Sequence, residues 1–339
     1  MKIQGKILDV KDGDAIIIQA SKEGEHLIVV IDGGDRGHGA KVLKEVQQCC
    51  ENLGKEGPDL VVCTHYDSDH IAGIITLIEY YKSKIKKIWI HQPKGVIKDS
   101  LRAAPMVLEY ISNKAEPLDF NGFVLHQNYL SANQLEKYKL VIESVDQLNT
   151  LLGLIKKYKI PTEQPIAGKC FVSGWAEIGV IGPTEQYFSK VFEKQNSLLQ
   201  IFQEEYEDMI LEDVRKKSIT GTNPCEALKK TSDITPTNKA SAIIRFDCED
   251  GNYLFTADAG IESFTETLGY PESIQQLKFL KVPHHGSINN ISKELIELMD
   301  PEIAYSSGDR YEDKEVIACL RRKEGRVVLT TKESGDLTF

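Results

Sequence analysis

The chain has 339 residues, 41% of them hydrophobic and 27% charged, enough to bury a sizeable core in one large domain or two ordinary ones. A formal net charge of −10 argues against a protein that binds nucleic acid with its whole surface, because phosphate contacts supply most of such affinity, but it leaves room for a local basic groove. No apolar run approaches the roughly 20 residues of a membrane helix, and the opening Met1 to Ile7 has neither an h-region nor a cleavage site, so a cytoplasmic protein without membrane attachment is expected.

In chain order, Lys6 to Gln19 and His26 to Asp32 read as strands separated by a polar turn at Ser21 to Glu25. Asp32-Gly33-Gly34 then breaks the chain, and Val42, Leu43, Val46 and Cys50 give Lys41 to Leu53 a helical spacing. Asp59 to Thr64 is a short buried strand ending at His65. A helix is expected over residues 71–81, beginning after Gly73, and another strand over Lys87 to His91. From Gln92 to Thr237 the pattern is less regular and more helical, with a long charge-laced helix expected over Tyr187 to Lys217. Strands return at Ser241 to Phe246, Tyr253 to Thr256 and Phe279 to Val282. A helix follows at Lys293 to Leu298, then strands at Ile303 to Ser306 and Arg326 to Thr330. Strands alternating with helices at both ends predict a mixed α/β fold with a largely buried sheet.

The seven cysteines (Cys49, Cys50, Cys63, Cys170, Cys225, Cys248 and Cys319) are odd in number and irregularly spaced, which predicts reduced thiols rather than a disulfide framework. The lysine-rich stretches at Lys82 to Lys87 and Arg215 to Lys217 read as solvated helix faces.

The densest chemical signal is Thr64-His65-Tyr66-Asp67-Ser68-Asp69-His70, with four potential metal ligands directly after a buried strand. In an extended segment His65, Asp67 and Asp69 project to one side, and a turn after Asp69 brings His70 beside them. Such a group could serve two ions about 3.5–4 Å apart. Without a cation it is costly, because two carboxylates in a partly buried cleft repel each other. Two later strands end in matching chemistry: Thr256-Ala257-Asp258 and Val282-Pro283-His284-His285-Gly286-Ser287. Taken alone, Asp258 serves equally as a helix N-cap. Three strand ends of the same character point to one shared site.

This combination resembles the metallo-β-lactamase superfamily, whose hallmark is HxHxDH with later Asp and His ligands. The closer resemblance is to the hydrolase domain of ComEC-type DNA-uptake proteins and their free-standing relatives, which use HxDxDH, here His65, Asp67, Asp69 and His70. Their DVGQGD opening and IDGG strand end correspond to Asp9 to Asp14 and Ile31 to Gly34. Ile181-Gly182-Pro183, Asn238 to Ser241, Ser307-Gly308 and Thr330-Thr331 match as well. The resemblance covers about residues 1–90 and 238–339. It implies a four-layer αβ/βα sandwich forming a single domain over 1–339, with its core from 1–91 and 238–339 and a largely helical insertion at about 92–237. Lys11-Asp12 departs from the usual Gly-Gln. No histidine lies between His126 and His284 to act as the superfamily's middle ligand, and Tyr311 to Lys314 stands where relatives carry a YGHP-like segment.

The resemblance further implies that His65 and Asp67 hold a first ion, that Asp69, His70 and His284 hold a second, and that Asp258 bridges them. One or two divalent ions are expected. An oxygen-rich shell favours manganese or magnesium, while the imidazoles keep zinc in range. Water activated by such ions would attack a phosphorus or carbonyl centre, with Asp69 steering it. His285 either meets substrate as a proton donor or fixes His284. Asp32 is expected to orient the first loop, His38 could reach the cleft, Ser287 and Asn238 could hydrogen-bond ligands or substrate but more often stabilise turns, and His26, His91 and His126 read as structural. Three functions compete: a phosphodiesterase acting on single-stranded nucleic acid; a hydrolase of a small phosphoester, cyclic nucleotide, lactone or thioester held beneath the insertion; and a scaffold that binds a protein partner.

Overall fold

A computed structural model describes residues 2–91, 118–120, 123–125, 132–172, 177–192, 223–232, 234–309 and 312–339. In the first part of the chain, β1 (Lys2–Ile7), β2 (Ile16–Lys22) and β3 (Glu25–Ile31) lead to α1 (Gly39–Asn52), β4 (Leu60–Val62), α2 (Ser68–Tyr81) and β5 (Lys87–Trp89). A small hairpin, β6 (Leu118–Phe120) with β7 (Phe123–Leu125), precedes α3 (Ala132–Tyr158), β8 (Thr162–Glu163), β9 (Cys170–Val172), β10 (Glu177–Gly182) and α4 (Glu185–Phe192). The remainder is α5 (Pro236–Lys239), β11 (Ile243–Cys248), β12 (Gly251–Phe255), α6 (Ile261–Thr265), β13 (Phe279–Lys281), α7 (Lys293–Met299), β14 (Ile303–Ser306), α8 (Lys314–Leu320), β15 (Val327–Thr330), α9 (Thr331–Ser334) and β16 (Leu337–Thr338).

The strands form two seven-stranded sheets, in the orders β16-β1-β2-β3-β4-β5-β8 and β15-β14-β13-β12-β11-β10-β9. Each is antiparallel on one side and parallel on the other: β3, β4, β5 and β8 run parallel in the first, and β12 to β15 in the second. Side chains alternate across each strand with period two. Val29, Ile31 and Val62 of the first sheet face Phe246, Phe255 and Phe279 of the second in one core. Ile28, Val30 and Val61 turn the other way, onto α1, α2 and α3. Leu254, Leu280 and Ala304 likewise turn outward onto α6, α7 and α8. Helices, sheet, sheet and helices therefore stack as a four-layer αβ/βα sandwich.

Several expectations need correction. The run Lys6 to Gln19 is not one strand: residues 8–15 form a loop between β1 and β2, with Lys11 and Gly13 at positive φ. The turn itself is as expected, with Glu23 and Gly24 both left-handed between β2 and β3, a geometry that suits the twist of paired strands. The helix expected from residue 71 begins earlier, at Ser68, so Asp69 and His70 lie in its first turn rather than in an extended segment. Within about 92–237, β8 joins the first sheet and β9 and β10 join the second, so those bounds enclose strands of both sheets. Of the helix expected over Tyr187 to Lys217, residues 187–192 fall in α4; residues 193–217, with Arg215 to Lys217, lie outside the described residues, as do His126 and Tyr311.

The thiol expectation fails for one pair: Cys225 and Cys319 form a disulfide, while Cys49, Cys50, Cys63, Cys170 and Cys248 are free. These two cysteines are 94 residues apart and meet only when α8 packs on residues 224–227, a contact that spacing does not reveal. No helix among the described residues is long and apolar enough to cross a membrane.

Candidate metal centre

Parallel strands aim their carboxyl ends at one edge of a sheet, and α/β folds collect their chemistry there. In this chain both sheets do so at the same place. Asp32 follows β3, the His65 to His70 segment follows β4, Asp258 follows β12, His284 and His285 follow β13, and Ser307 follows β14. The early loops interlock through two glycines. Gly33 donates its N–H to His70 O at 2.8 Å and Gly73 to Gly34 O at 3.2 Å; a side chain on either glycine would collide with the other's backbone.

Asp258 lies at the centre. Its Oδ2 is 3.4 Å from His70 Nε2, 3.6 Å from His284 Nε2, 3.7 Å from His65 Nε2 and 3.9 Å from His285 Nε2. Asp67 Oδ2 approaches His65 Nε2 at 3.6 Å, and Asp69 Oδ2 approaches His285 Nε2 at 3.9 Å. All seven residues singled out in the sequence thus converge. Most of these separations exceed a hydrogen bond, but they match ligands around a shared ion: two atoms each about 2.1 Å from a tetrahedral metal stand about 3.4 Å apart.

The imidazoles are pre-set for ligation from behind. Asp32 is fully buried; it accepts from Thr64 N at 2.8 Å, from Thr64 Oγ1 at 2.6 Å and, being acceptor-only, from His70 Nδ1 at 2.8 Å. With its hydroxyl proton given to Asp32, Thr64 can only accept from His65 Nδ1, 2.9 Å away. One carboxylate therefore fixes two rings and turns His65 Nε2 and His70 Nε2 inward. These two nitrogens and Asp258 Oδ1 are buried and have no hydrogen-bond partner among the described residues. Buried polar atoms without partners are rare and call for an occupant. Imidazole and carboxylate donors converging at ligand spacing fit a divalent cation, and three such groupings overlap here: Asp32, His65 and His70; Asp69, His70 and His285; Asp14, His70 and Asp258.

Burial pushes Asp69 up to about 6; His70 opposes this, while Asp67 and Asp258 reinforce it. Burial opposes charge on His70 too, but Asp258, Asp32 and Asp69 outweigh it and hold the ring well above its ordinary value. Asp258 is held well below the carboxylate range despite its burial, chiefly by His70, His284 and His285. His285 goes the other way: burial lowers it to about 3, so it is a neutral ring.

Two residues under His285 escaped the sequence reading as functional groups. Lys281 and Asp14 are both fully buried, and Lys281 Nζ meets Asp14 Oδ2 at 2.5 Å. Burial alone would raise Asp14, but the Lys281 ammonium brings it below its ordinary value. Asp14 Oδ1 accepts from the Ser307 hydroxyl, whose oxygen lies 3.3 Å from His285 Nδ1. A lysine in the apolar run Phe279-Leu280-Lys281-Val282 was the available signal. Asn290, 2.9 Å from His284 Nδ1, gave none.

The remaining residues are placed as follows. His38 begins α1 and pairs with Asp35 at 2.7 Å. His91 is buried and stacks on Phe188. Ser287 N donates to His284 O at 2.9 Å within the turn. Asn238 lies in α5, where its N–H donates to Thr235 Oγ1 at 3.0 Å. Lys82 to Lys87 comprises a 3-10 turn and the start of β5, so it lies at the end of the sheet away from the cluster.

No protein-family model matches the chain, and no curated protein does. Among solved structures it is similar to the metallo-beta-lactamase fold protein YhfI from Bacillus subtilis, with 11% identity and a TM-score of 0.44 over 100% of both chains. It is also similar to Tm1679, a metal-dependent hydrolase of the beta-lactamase superfamily, with 12% identity and a TM-score of 0.46 over 99% of this chain and 98% of that one. A metallo-beta-lactamase with a HARLDQ motif from Cronobacter sakazakii aligns at 10% identity and a TM-score of 0.30, over 96% of this chain and 73% of that one.

Proposed function

We propose that this chain is a metal-dependent hydrolase and that its substrate is a phosphodiester, with single-stranded nucleic acid the first to test. The observation that carries the reading is the convergence of four imidazole Nε2 atoms on the Asp258 carboxylate at 3.4–3.9 Å. His65, Asp67, Asp69, His70, Asp258 and His284 would hold one or two divalent ions, manganese or zinc ahead of magnesium. When bound, such ions supply Lewis acidity toward a phosphoryl oxygen and lower the pKa of water.

The chain's own groups do the rest. Asp32 and Thr64 hold two rings in the tautomer that ligates. Asp67 and Asp69 are the most exposed members of the cluster, so substrate approaches along their side. Asp69 is the group placed to take a proton at its Oδ2. His285, neutral and held against Ser307, contacts substrate rather than donating as an imidazolium. A small phosphoester, cyclic nucleotide, lactone or thioester is the second reading; it is favoured by the depth of the cluster, with His70 and Asp258 almost without exposure and the Lys82 to Lys87 run at the far end of the sheet.

The test is degradation of end-labelled single-stranded DNA by purified protein with Mn²⁺, Zn²⁺ or Mg²⁺, beside Asp69→Ala. Cleavage that requires metal and vanishes in the variant supports the first reading. No cleavage by protein that contains metal transfers the assignment to a small substrate.

A further inference from the structure

His284 is held differently from His65 and His70. Its Nδ1 lies 2.9 Å from Oδ1 of Asn290, a fully buried residue. The other end of that carboxamide fixes its orientation: Nδ2 donates to Asp258 O at 2.8 Å and to Ala259 O at 3.2 Å. With its NH₂ group engaged by two carbonyls, Asn290 presents only an acceptor to the imidazole. His284 therefore carries its proton on Nδ1 and turns the Nε2 lone pair inward, 3.6 Å from Asp258 Oδ2.

The two residues gripped in this way come from different strands. Asp258 follows β12 and His284 follows β13, and the backbone adds one bond between the loops, His284 N to Ala257 O at 2.9 Å. Ala257, His284 and His285 all have left-handed backbones, a conformation that persists only where the surroundings impose it. Asn290 is bonded to both loops at once.

We propose that Asn290 is a positioning residue for the metal centre: one carboxamide selects the ligating tautomer of His284 and sets its distance from Asp258. The inference rests on reading Asp258 and His284 as metal ligands. Groups that orient a ligating imidazole typically contribute about 10–100-fold in metal affinity.

The test uses the full chain and Zn²⁺ alone, with two readouts. Calorimetry gives the affinity and stoichiometry for Zn²⁺, and proton NMR of metal-free protein reports the His284 Nδ1–H as a slowly exchanging imidazole signal, identified by its loss in His284→Ala. Asn290→Ala is expected to weaken Zn²⁺ binding about 10–100-fold and to lose the signal. Asn290→Asp, which keeps an acceptor toward His284 but loses the donors to Asp258 O and Ala259 O, is expected to restore the signal and only part of the affinity. If Asn290→Ala does not fold, Asn290→Leu against Asn290→Asp gives the same comparison.

Wild-type affinity in a folded Ala or Leu variant, with or without a lower melting temperature, overturns the proposal. So does an Asp variant that behaves like the Ala one. A wild-type chain that keeps the Nδ1–H signal but binds no Zn²⁺ overturns the metal reading and the role of Asn290 with it. A chain that binds Zn²⁺ but is indifferent to Asn290 overturns this inference alone.

Discussion

The two halves of the centre are built in opposite ways. The early half places His65, Asp67, Asp69 and His70 in one stretch between the end of β4 and the first turn of α2, and a single carboxylate, Asp32, orients both of its imidazoles. The late half gathers Asp258, His284 and His285 from two strands and holds them with Asn290, Ser307, Asp14 and Lys281. Among the ligands and their immediate neighbours, three non-glycine residues, Ala257, His284 and His285, are left-handed in the late half, against Asp32 in the early one. Where ligands are close in sequence, one tertiary partner, Asp32, orients two rings at once. Where they are not, tertiary contacts must hold each ligand separately, and the site draws on the stability of the fold.

That contrast can be broken by substitution. The largest effect is expected from Asp258→Ala, which removes the carboxylate common to both halves: calorimetry should find no Zn²⁺ or Mn²⁺ binding at micromolar metal, with far-UV circular dichroism unchanged. Asp32→Ala comes next. Freeing the rings of His65 and His70 together should weaken metal affinity by about 10–100-fold. Equal losses at Asp32 and at a solvent-facing carboxylate such as Glu51 would contradict its orienting role.

Lys281→Met tests the opposite dependence, on stability. It leaves Asp14 buried without its counter-charge, which should cost about 3–5 kcal/mol in urea unfolding, while the double variant Asp14→Asn with Lys281→Met should recover part of the loss. A single variant as stable as wild type would show that the buried pair does not support the late half.

The smallest effect is one of pH. Asp69 is held up at about 6 in the metal-free fold, chiefly by burial, and a cation needs its ionised form. Metal affinity should therefore rise with pH through about 6 and contribute no further change from this group above it. Below that value it should fall by up to about tenfold per unit. In Asp69→Asn this component of the pH dependence should disappear.

The same contrast explains what was legible. The early half could be read directly, because strand, motif and helix are consecutive and every ligand falls within six residues. Even there the backbone was misjudged: alternation suggested an extended segment, whereas α2 starts at Ser68 and carries Asp69 and His70 on its first turn. Asp258, His284 and His285 were found from strand-end chemistry, but their partners were not. Asn290 looks like an ordinary turn residue, and its bonds to Asp258 and His284 exist only after β12 and β13 pair. Cys225 and Cys319 were missed for the same reason, since their contact depends on the packing of α8. The layered fold was legible through strand periodicity, whereas β8, β9 and β10 lie in a region whose spacing is mainly helical and do not stand out from it.

The most direct measurement is anomalous scattering at the zinc edge from crystals grown with Zn²⁺. The expected result is density within about 2.0–2.2 Å of His70 Nε2, His284 Nε2 and an Asp258 carboxylate oxygen. Full occupancy elsewhere on the molecule, ligation through Nδ1, or no ordered zinc at Asp258 would contradict the metal centre described here.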